Sequence, residues 1–466
     1  MPCLDEPIAS RLSFRLNRRY SIIKMFRLFL LACLACISCT LRAADVASEI
    51  RDIGIAKVDI TPDYPVRLTG YGSRREESEG VELRIWAKAL AIGSDTEGPA
   101  LIVTVDNCGI PYSMRTEVLS RLSKKAGIRS ERFAICFSHT HCAPCLTGAL
   151  VNIFSSDIPP LHQANIDRYT RSLTDQLEAI SLAALADRKP SRLSWSVGEV
   201  RFANNRRVAW GGPVDHALPT LFVHSPTGEL RGVLANYACH ATTLSINRIH
   251  GDWPGTAMEA IEREHPGVIA MISIGCGADQ NPNPRSTIEL ASQHGLEVAT
   301  EVSRLLKSNR ATIRGELAAR ETSISLPLAP LPTRMEWETL AASPSHQVSY
   351  SAQKNLARLD RDEQLSTAVP YRILCWQFGS DLAMVFLPGE VTIDYQVRLK
   401  SEWRSSRIWV NAYSNDAPCY IPSQRVLEEG GYEGATAMVY YDQPAKFADG
   451  IEDKIIAAVL SMAPEK

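Results

Sequence analysis

The chain lacks an excess of charge of either sign, an internal repeat and any low-complexity tract. Its 466 residues carry a formal net charge of −2, with 45% hydrophobic and 22% charged residues, which excludes disorder, collagen-like repeats, coiled coil and a solenoid. Cysteine is sparse outside the amino terminus. Of the 12, four (Cys3, Cys33, Cys36 and Cys39) fall in the first 44 residues. The remaining eight do not make a disulfide-dense scaffold, although an exported chain permits one or more bridges among them. No second cysteine pair at zinc spacing accompanies Cys142 and Cys145, so these two read as packing or disulfide cysteines. No Gly-x-Ser-x-Gly elbow is present, which argues against a serine hydrolase.

What the sequence does have begins with a leader. Basic residues from Lys24 to Arg27, an apolar run and then Arg42-Ala43-Ala44 read as the n-region, h-region and cleavage site of a secretion signal. The run is too short for a confident membrane span. Residues 1–24 are an odd basic prelude, and a start at Met25 explains them; Cys33 offers a second-ranked lipoprotein anchor. Residues 1–44 hold seven basic but two acidic side chains, so residues 45–466 are distinctly acidic, which argues against nucleic acid as a partner. The expected localisation is secreted or periplasmic, and oligomeric state is not legible.

Beyond the leader, β-like runs alternate with helical ones, so residues 45–466 read as one α/β (mixed α+β) unit with central mixed β-sheets flanked by helices. Strands are expected at 55–60, 85–92, 100–106, 132–137, 220–224, 232–238, 268–274, 373–378, 382–387 and 407–412. Helices are expected at 113–125, stopped by Gly127, and at 165–188, 254–264, 287–307, 392–402 and 445–462. The Pro-rich stretch 326–332 is the best linker candidate. It leads into a helical excursion through Arg361 that reads as a lid or cap.

The chemistry gathers where apolar strands end. The run from Phe133 leads straight into His139 and His141, and in an extended chain two such residues share a face. A second apolar strand ends in Cys239-His240 and a third in Gly389-Glu390. Ligands in open α/β sheets collect beyond the carboxyl ends of strands, so His, His and Glu make a plausible open zinc site. A single His after a strand is more often a surface or capping residue, and His162, His216, His224, His265, His294 and His346 stay in that class.

At these residues the sequence resembles the neutral/alkaline non-lysosomal ceramidase family, zinc amidases that cleave N-acylsphingosines. The resemblance rests on ordered blocks: Ile55-Ala-Lys-Val-Asp-Ile-Thr-Pro62, Leu68-Thr-Gly70-Tyr71-Gly72, Arg84-Ile-Trp-Ala-Lys-Ala-Leu90, Val103-Thr-Val-Asp106, Ser138-His-Thr-His-Cys-Ala-Pro144, Asn204-Asn205-Arg206, Cys239-His240-Ala-Thr, Phe386-Leu-Pro-Gly-Glu390, and the tyrosines Tyr420 and Tyr432. It implies the ceramidase catalytic fold and a zinc ion held by His139, His240, Glu390 and Tyr420. It further implies that His141 faces the substrate or the activated water, and that Tyr432 and Arg206 hydrogen-bond the scissile carbonyl or the polar head. It implies a lipid substrate and possible association with a membrane surface.

The departures carry information too. The family's Gly-Asp-x-Ser-Pro-Asn serine is matched here by Asn281, within Ala278-Asp279-Gln280-Asn281-Pro282-Asn283. An amide cannot act as a nucleophile, though it can donate to a developing oxyanion, so attack falls to a water activated by the zinc, with His141 or Asp279 taking the proton. The family's carboxy-terminal β-sandwich domain is not expected in this chain. The leading expectation is a secreted zinc amidohydrolase acting on an N-acyl lipid. A hydrolase of the same fold acting on another amide or ester, such as an acylated sugar or a peptidoglycan-like fragment, comes second, and a non-catalytic surface protein third.

Overall fold

Runs of consecutive apolar residues become strands buried on both faces, and they build two stacked sheets. The computed structural model describes residues 49–403 and 407–463, and Arg51 begins the compact unit to which the sheets and helices belong. The larger sheet contains β1 (Ile50–Asp59), β2 (Trp86–Ile92), β3 (Ala100–Val105), β4 (Phe133–Phe137), β5 (Lys189–Glu199), β7 (Ala217–His224), β8 (Leu230–Tyr237), β9 (Ile269–Ile274) and β11 (Ala311–Thr312). Their spatial order is β4-β3-β2-β1-β5-β7-β8-β9, with β11 beside β5, and β3–β4 and β8–β9 pair in parallel. A ribbon joins β6 (Ala203–Asn205) to β10 (Gln280–Pro282). The smaller sheet orders β12 (Leu317–Pro327), β13 (Ala368–Phe378), β14 (Leu382–Phe386) and β16 (Ile408–Asn411), while β15 (Glu390–Val391) pairs in parallel with β17 (Tyr420–Ile421).

Alternation along the strands divides two cores. Leu90, Ile92 and Ile102 of the larger sheet meet Trp376, Phe386 and Trp409 of the smaller one between the sheets. Their sequence neighbours Ala89, Ala91, Leu101 and Val103 face the opposite way, into a core shared with helices. Those helices are α1 (Tyr112–Ala126), α2 (Pro160–Ala186), α3 (Asp252–Glu264) and α4 (Ile288–Leu306). Helices α5 (Arg334–Ala341), α6 (His346–Leu359), α7 (Ile393–Glu402), α8 (Gln424–Glu429), α9 (Gly431–Gly434) and α10 (Ile451–Ser461) come later in the chain, and α10 packs on β12 and β13. The mixed α/β architecture is as expected. Gly127 ends α1 in the left-handed region at φ 66°, a conformation that costs a glycine little.

The edge strands β4 and β9 approach each other, and the segment after β16 ties them together. Ala412 N donates to Ile274 O, Phe137 N to Tyr413 O and Asn415 N to Ile135 O. This satisfies edge groups that would otherwise be open and brings the ends of β4, β8 and β14 to one place.

Several expectations are corrected. Seven strands were not expected: the short β6, β10, β11, β15 and β17, and two long ones, β5, whose buried residues alternate with half-buried and exposed ones, and β12, a polar edge strand paired, among the described residues, with β13 alone. Both long strands lack the continuous apolar run that marks a central strand. The stretch 326–332 is not a free linker: it begins inside β12, and Leu328 N and Ala329 N bond Thr367 O and Lys446 O. The expected excursion is the α5–α6 pair, held down by Arg358 on Asp442 and by Lys354 on Asn152. The last helix starts only at Ile451, after Gly450 at φ 83°. All eight described cysteines are buried and free, so Cys142 and Cys145 are packing residues. No described helix is long and apolar enough to cross a membrane. The leader, Met25 and Cys33 lie outside the described residues.

Candidate metal centre and substrate face

His139 follows the last residue of β4 by two positions, but the chain is no longer extended there. His139 sits in the left-handed region at φ 55°, so the shared face expected for His139 and His141 does not arise from strand alternation. The turn still brings His139 Nε2 and His141 Nε2 to 3.1 Å. His240 lies three residues beyond β8, and Glu390 opens β15 after the left-handed Gly389. His139 Nε2 and His240 Nε2 lie 3.2 and 3.1 Å from Glu390 Oε2. Parallel pairing sets Tyr420 opposite Glu390, with its hydroxyl 3.5 Å from His240 Nε2. The four residues are at most 3% exposed.

Backbone carbonyls orient both imidazoles. Nδ1 of His139 bonds Cys108 O at 2.5 Å, and Nδ1 of His240 bonds Gly277 O at 2.6 Å. With Nδ1 of each ring bonded to a backbone carbonyl, Nε2 is the nitrogen that faces Glu390, the orientation of a metal-ligating histidine. Burial opposes charge on this cluster. The His139–Glu390 contact nevertheless draws the His139 pKa well above its ordinary value and the Glu390 pKa well below. Burial and the Glu390 charge hold the Tyr420 phenol well above its usual range, a state that a cation at the cluster would relieve. The donor set therefore fits a divalent ion such as zinc. A second group, Cys108, His139 and His141, shares His139 and adds a thiol.

On one side of this cluster stand the residues expected to meet the substrate. Arg206 Nη2 donates to Tyr420 OH at 3.1 Å, its Nε to Glu433 Oε1 at 2.6 Å and its Nη1 to Asn281 Oδ1 at 3.4 Å. The ring of Tyr432 stacks edge-on to Tyr420 at 5.3 Å, beneath the Arg206 guanidinium, and is 41% exposed. Tyr432 belongs to the short helix α9 and not to a strand edge. His141 is pressed between Tyr71, at 4.8 Å between ring centres, and Gly70, where any Cβ would come within 2.4 Å of the imidazole. Burial and the neighbouring His139 and His240 push its pKa well down, so His141 is neutral at pH 7.

Asp279 is placed apart from the reacting face. Its Oδ1 accepts from Ile393 N at 2.9 Å and its Oδ2 from Asn205 Nδ2 at 2.8 Å, so it caps α7 and fixes the β6 ribbon. Both oxygens are engaged by these donors.

Three residues escaped the sequence reading. Tyr441 donates its hydroxyl to Glu390 Oε1. Tyr413 lies 4.6 Å from the His139 ring and 3.4 Å from His240 Nδ1. Glu433 binds both Arg206 and Arg207. Tyr413 comes just after the apolar strand β16, so the strand-end argument that singled out His240 applies to it as well. Nothing in the local pattern marks Tyr441 or Glu433.

Residues 52–283 match the family model described as neutral/alkaline non-lysosomal ceramidase, N-terminal. The chain is 25% identical over 209 residues to the neutral ceramidase of Pseudomonas aeruginosa, and 24% identical over 262 residues to that of Drosophila pseudoobscura pseudoobscura. These alignments take in 41% and 51% of this chain but 30% and 37% of the relatives, so the chain spans about a third of their length. The crystal structure of the Pseudomonas aeruginosa neutral ceramidase superposes with a TM-score of 0.68 at 19% identity, covering 90% of this chain and 75% of that one. A ceramidase complexed with C2 gives 0.70 at 18% identity, covering 88% and 74%. The likeness to these structures concerns the fold, and the family match places residues 52–283 of this chain in the neutral/alkaline non-lysosomal ceramidase family.

Proposed function

We propose that the chain is a zinc-dependent amidohydrolase that cleaves an N-acyl amide, with an N-acylsphingosine or related lipid as substrate. The observation that carries this reading is the donor cluster: two imidazoles anchored at Nδ1 by backbone carbonyls, a carboxylate and a phenol converge in a dry pocket. His139, His240, Glu390 and Tyr420 would hold the metal. When bound, such an ion polarises a carbonyl and acidifies a water molecule. Arg206, held in place by Glu433, and Tyr432 orient the scissile carbonyl, while the Asn281 amide, whose oxygen accepts from Arg206, keeps its NH2 free to donate to developing negative charge. His141, neutral before reaction, accepts a proton at Nε2 and returns it to the departing amine.

Asn281 in the place of the family serine favours a second reading, a hydrolase of the same fold acting on a different amide or ester. Export by residues 1–44 belongs to the proposal as well; amino-terminal sequencing of the exported protein should begin near Asp45. The deciding experiment measures zinc in the purified chain together with hydrolysis of a fluorescent N-acylsphingosine before and after chelation. Zinc near one per chain with chelator-sensitive turnover supports the first reading. Zinc without turnover on that substrate moves the choice to the second, and no zinc removes both.

A further inference from the structure

Away from Arg206 and Tyr432, the wall of the donor cluster borders another cavity. It encloses about 620 Å³, within the range of small-molecule sites, and lies between the β12–β13 edge, α1, α6 and the segments 415–418 and 441–444. Tyr441, which donates to Glu390, forms part of its wall.

Most charged groups there are already paired. Asp442 holds Arg358, Glu363 holds Arg361, and Asp416 Oδ1 accepts from Tyr112 N and Ala417 N at 3.0 and 2.9 Å. Two guanidiniums are not. Arg115 is 2% exposed, and its Nε and Nη2 bond Asn415, Ser130 and Phe133, yet its Nη1 has no partner among the described residues. Arg372 is exposed on β13 and meets the Tyr112 ring at 4.9 Å, with no carboxylate partner among the described residues. Among the described residues Glu321 is the one lining carboxylate without a hydrogen bond, and neither it nor Asp416, whose partners are backbone N–H groups, forms an ion pair with Arg115 or Arg372. A buried guanidinium nitrogen left unpaired is costly, and an anion relieves it. The rest of the lining includes the apolar Leu150, Val151 and Leu365, and the volume far exceeds that of an inorganic anion.

We propose that this cavity binds an amphiphile with a carboxylate head and an apolar body, the head between Arg115 and Arg372 and the body against Leu150, Val151 and Leu365. The site is distinct from the Arg206–Tyr432 face, and the inference does not depend on the amidase reading. Calorimetric titration of the full chain with octanoate, 1-octanol and inorganic phosphate tests it. Octanoate should bind at one per chain, with 1-octanol and phosphate each at least about tenfold weaker, since a charge-assisted bond or the apolar contact is lost in turn. Arg372→Glu should weaken octanoate at least about tenfold, while Arg206→Gln leaves it unchanged; circular dichroism confirms that each variant is folded. Equal binding of 1-octanol or of phosphate, unchanged octanoate binding in Arg372→Glu, loss of binding in Arg206→Gln instead, or no binding at millimolar octanoate would each overturn the proposal.

Discussion

The donor cluster and the substrate face adjoin, yet they are built in different ways. His139, His240, Glu390 and Tyr420 are dry, and each is fixed by a strand end, a backbone carbonyl or a ladder pairing. Arg206 and Tyr432 stand on short segments outside the main sheets and are partly open to solvent; Arg206 is held by a side-chain ion pair to Glu433, and Tyr432 lies against its guanidinium. Backbone anchoring gives a site whose geometry survives side-chain changes nearby; ion-pair anchoring gives one that a single carboxylate controls. Metal retention and substrate positioning should therefore be separable by mutation.

The largest expected effect breaks the dry side. His240→Ala should lose the bound metal and lower turnover on the order of 10³-fold, equivalent to ~4 kcal/mol of transition-state stabilisation, with the fold largely kept. Full zinc content in that variant, measured by elemental analysis, would refute the ligand assignment. Glu433→Gln attacks the other side. It leaves Arg206 and Arg207 short of a charge, should cost about 3 kcal/mol in stability by denaturant titration, and should reduce kcat/KM while the zinc content stays at the wild-type level. Loss of metal there would show that the two regions are one unit.

Tyr441→Phe sharpens the boundary between them. Removing the hydroxyl that Glu390 accepts should weaken metal affinity by about 10–100-fold in chelator competition, with less effect on KM. An unchanged affinity would mean that Glu390 is held by the histidines alone.

The smallest effect is a pH dependence on the dry side. His250 is 2% exposed, its Nδ1 accepts from Asp252 N at 2.8 Å, and burial pushes its pKa down to about 4. The unfolded chain takes up this proton near pH 6.5 and the folded one does not. Its stabilising contribution is thus complete above the unfolded value and falls as pH drops from about 6.5 toward 4, by up to about 1.4 kcal/mol per pH unit. Burial pushes Asp106 and Asp416 up to about 6, and these carboxyls act in the opposite direction over the same range. The readout is therefore the difference between wild type and His250→Asn in urea midpoints at pH 7 and pH 5, and parallel curves would place the dependence elsewhere.

Legibility divided along the same line. Strands buried on both faces, such as β3, β4 and β14, were evident as apolar runs, and His139 and Glu390, just beyond the ends of β4 and β14, are brought together in the structure. Strands β5 and β12 were hidden because one face meets solvent and polar residues interrupt the run. Asp279 looked like a candidate base beside Asn281, but its carboxylate is spent on α7 and on Asn205 of the facing ribbon strand. Glu433 and Tyr441 lie in short helical turns whose local pattern carries no sign of the distant groups they bind.

By itself the sequence determined which donor types were available, that they sit just past apolar strands, and which family blocks surround them, because strand burial and short motifs are local properties of the chain. Only the tertiary structure decided that His139, His240, Glu390 and Tyr420 meet, that Tyr441 bonds Glu390 while Glu433 holds Arg206, and that a separate cavity lies beyond. Those outcomes depend on the segment 412–415 joining β4 to β9 and on the pairing of β15 with β17, which are non-local hydrogen bonds that no window of sequence contains.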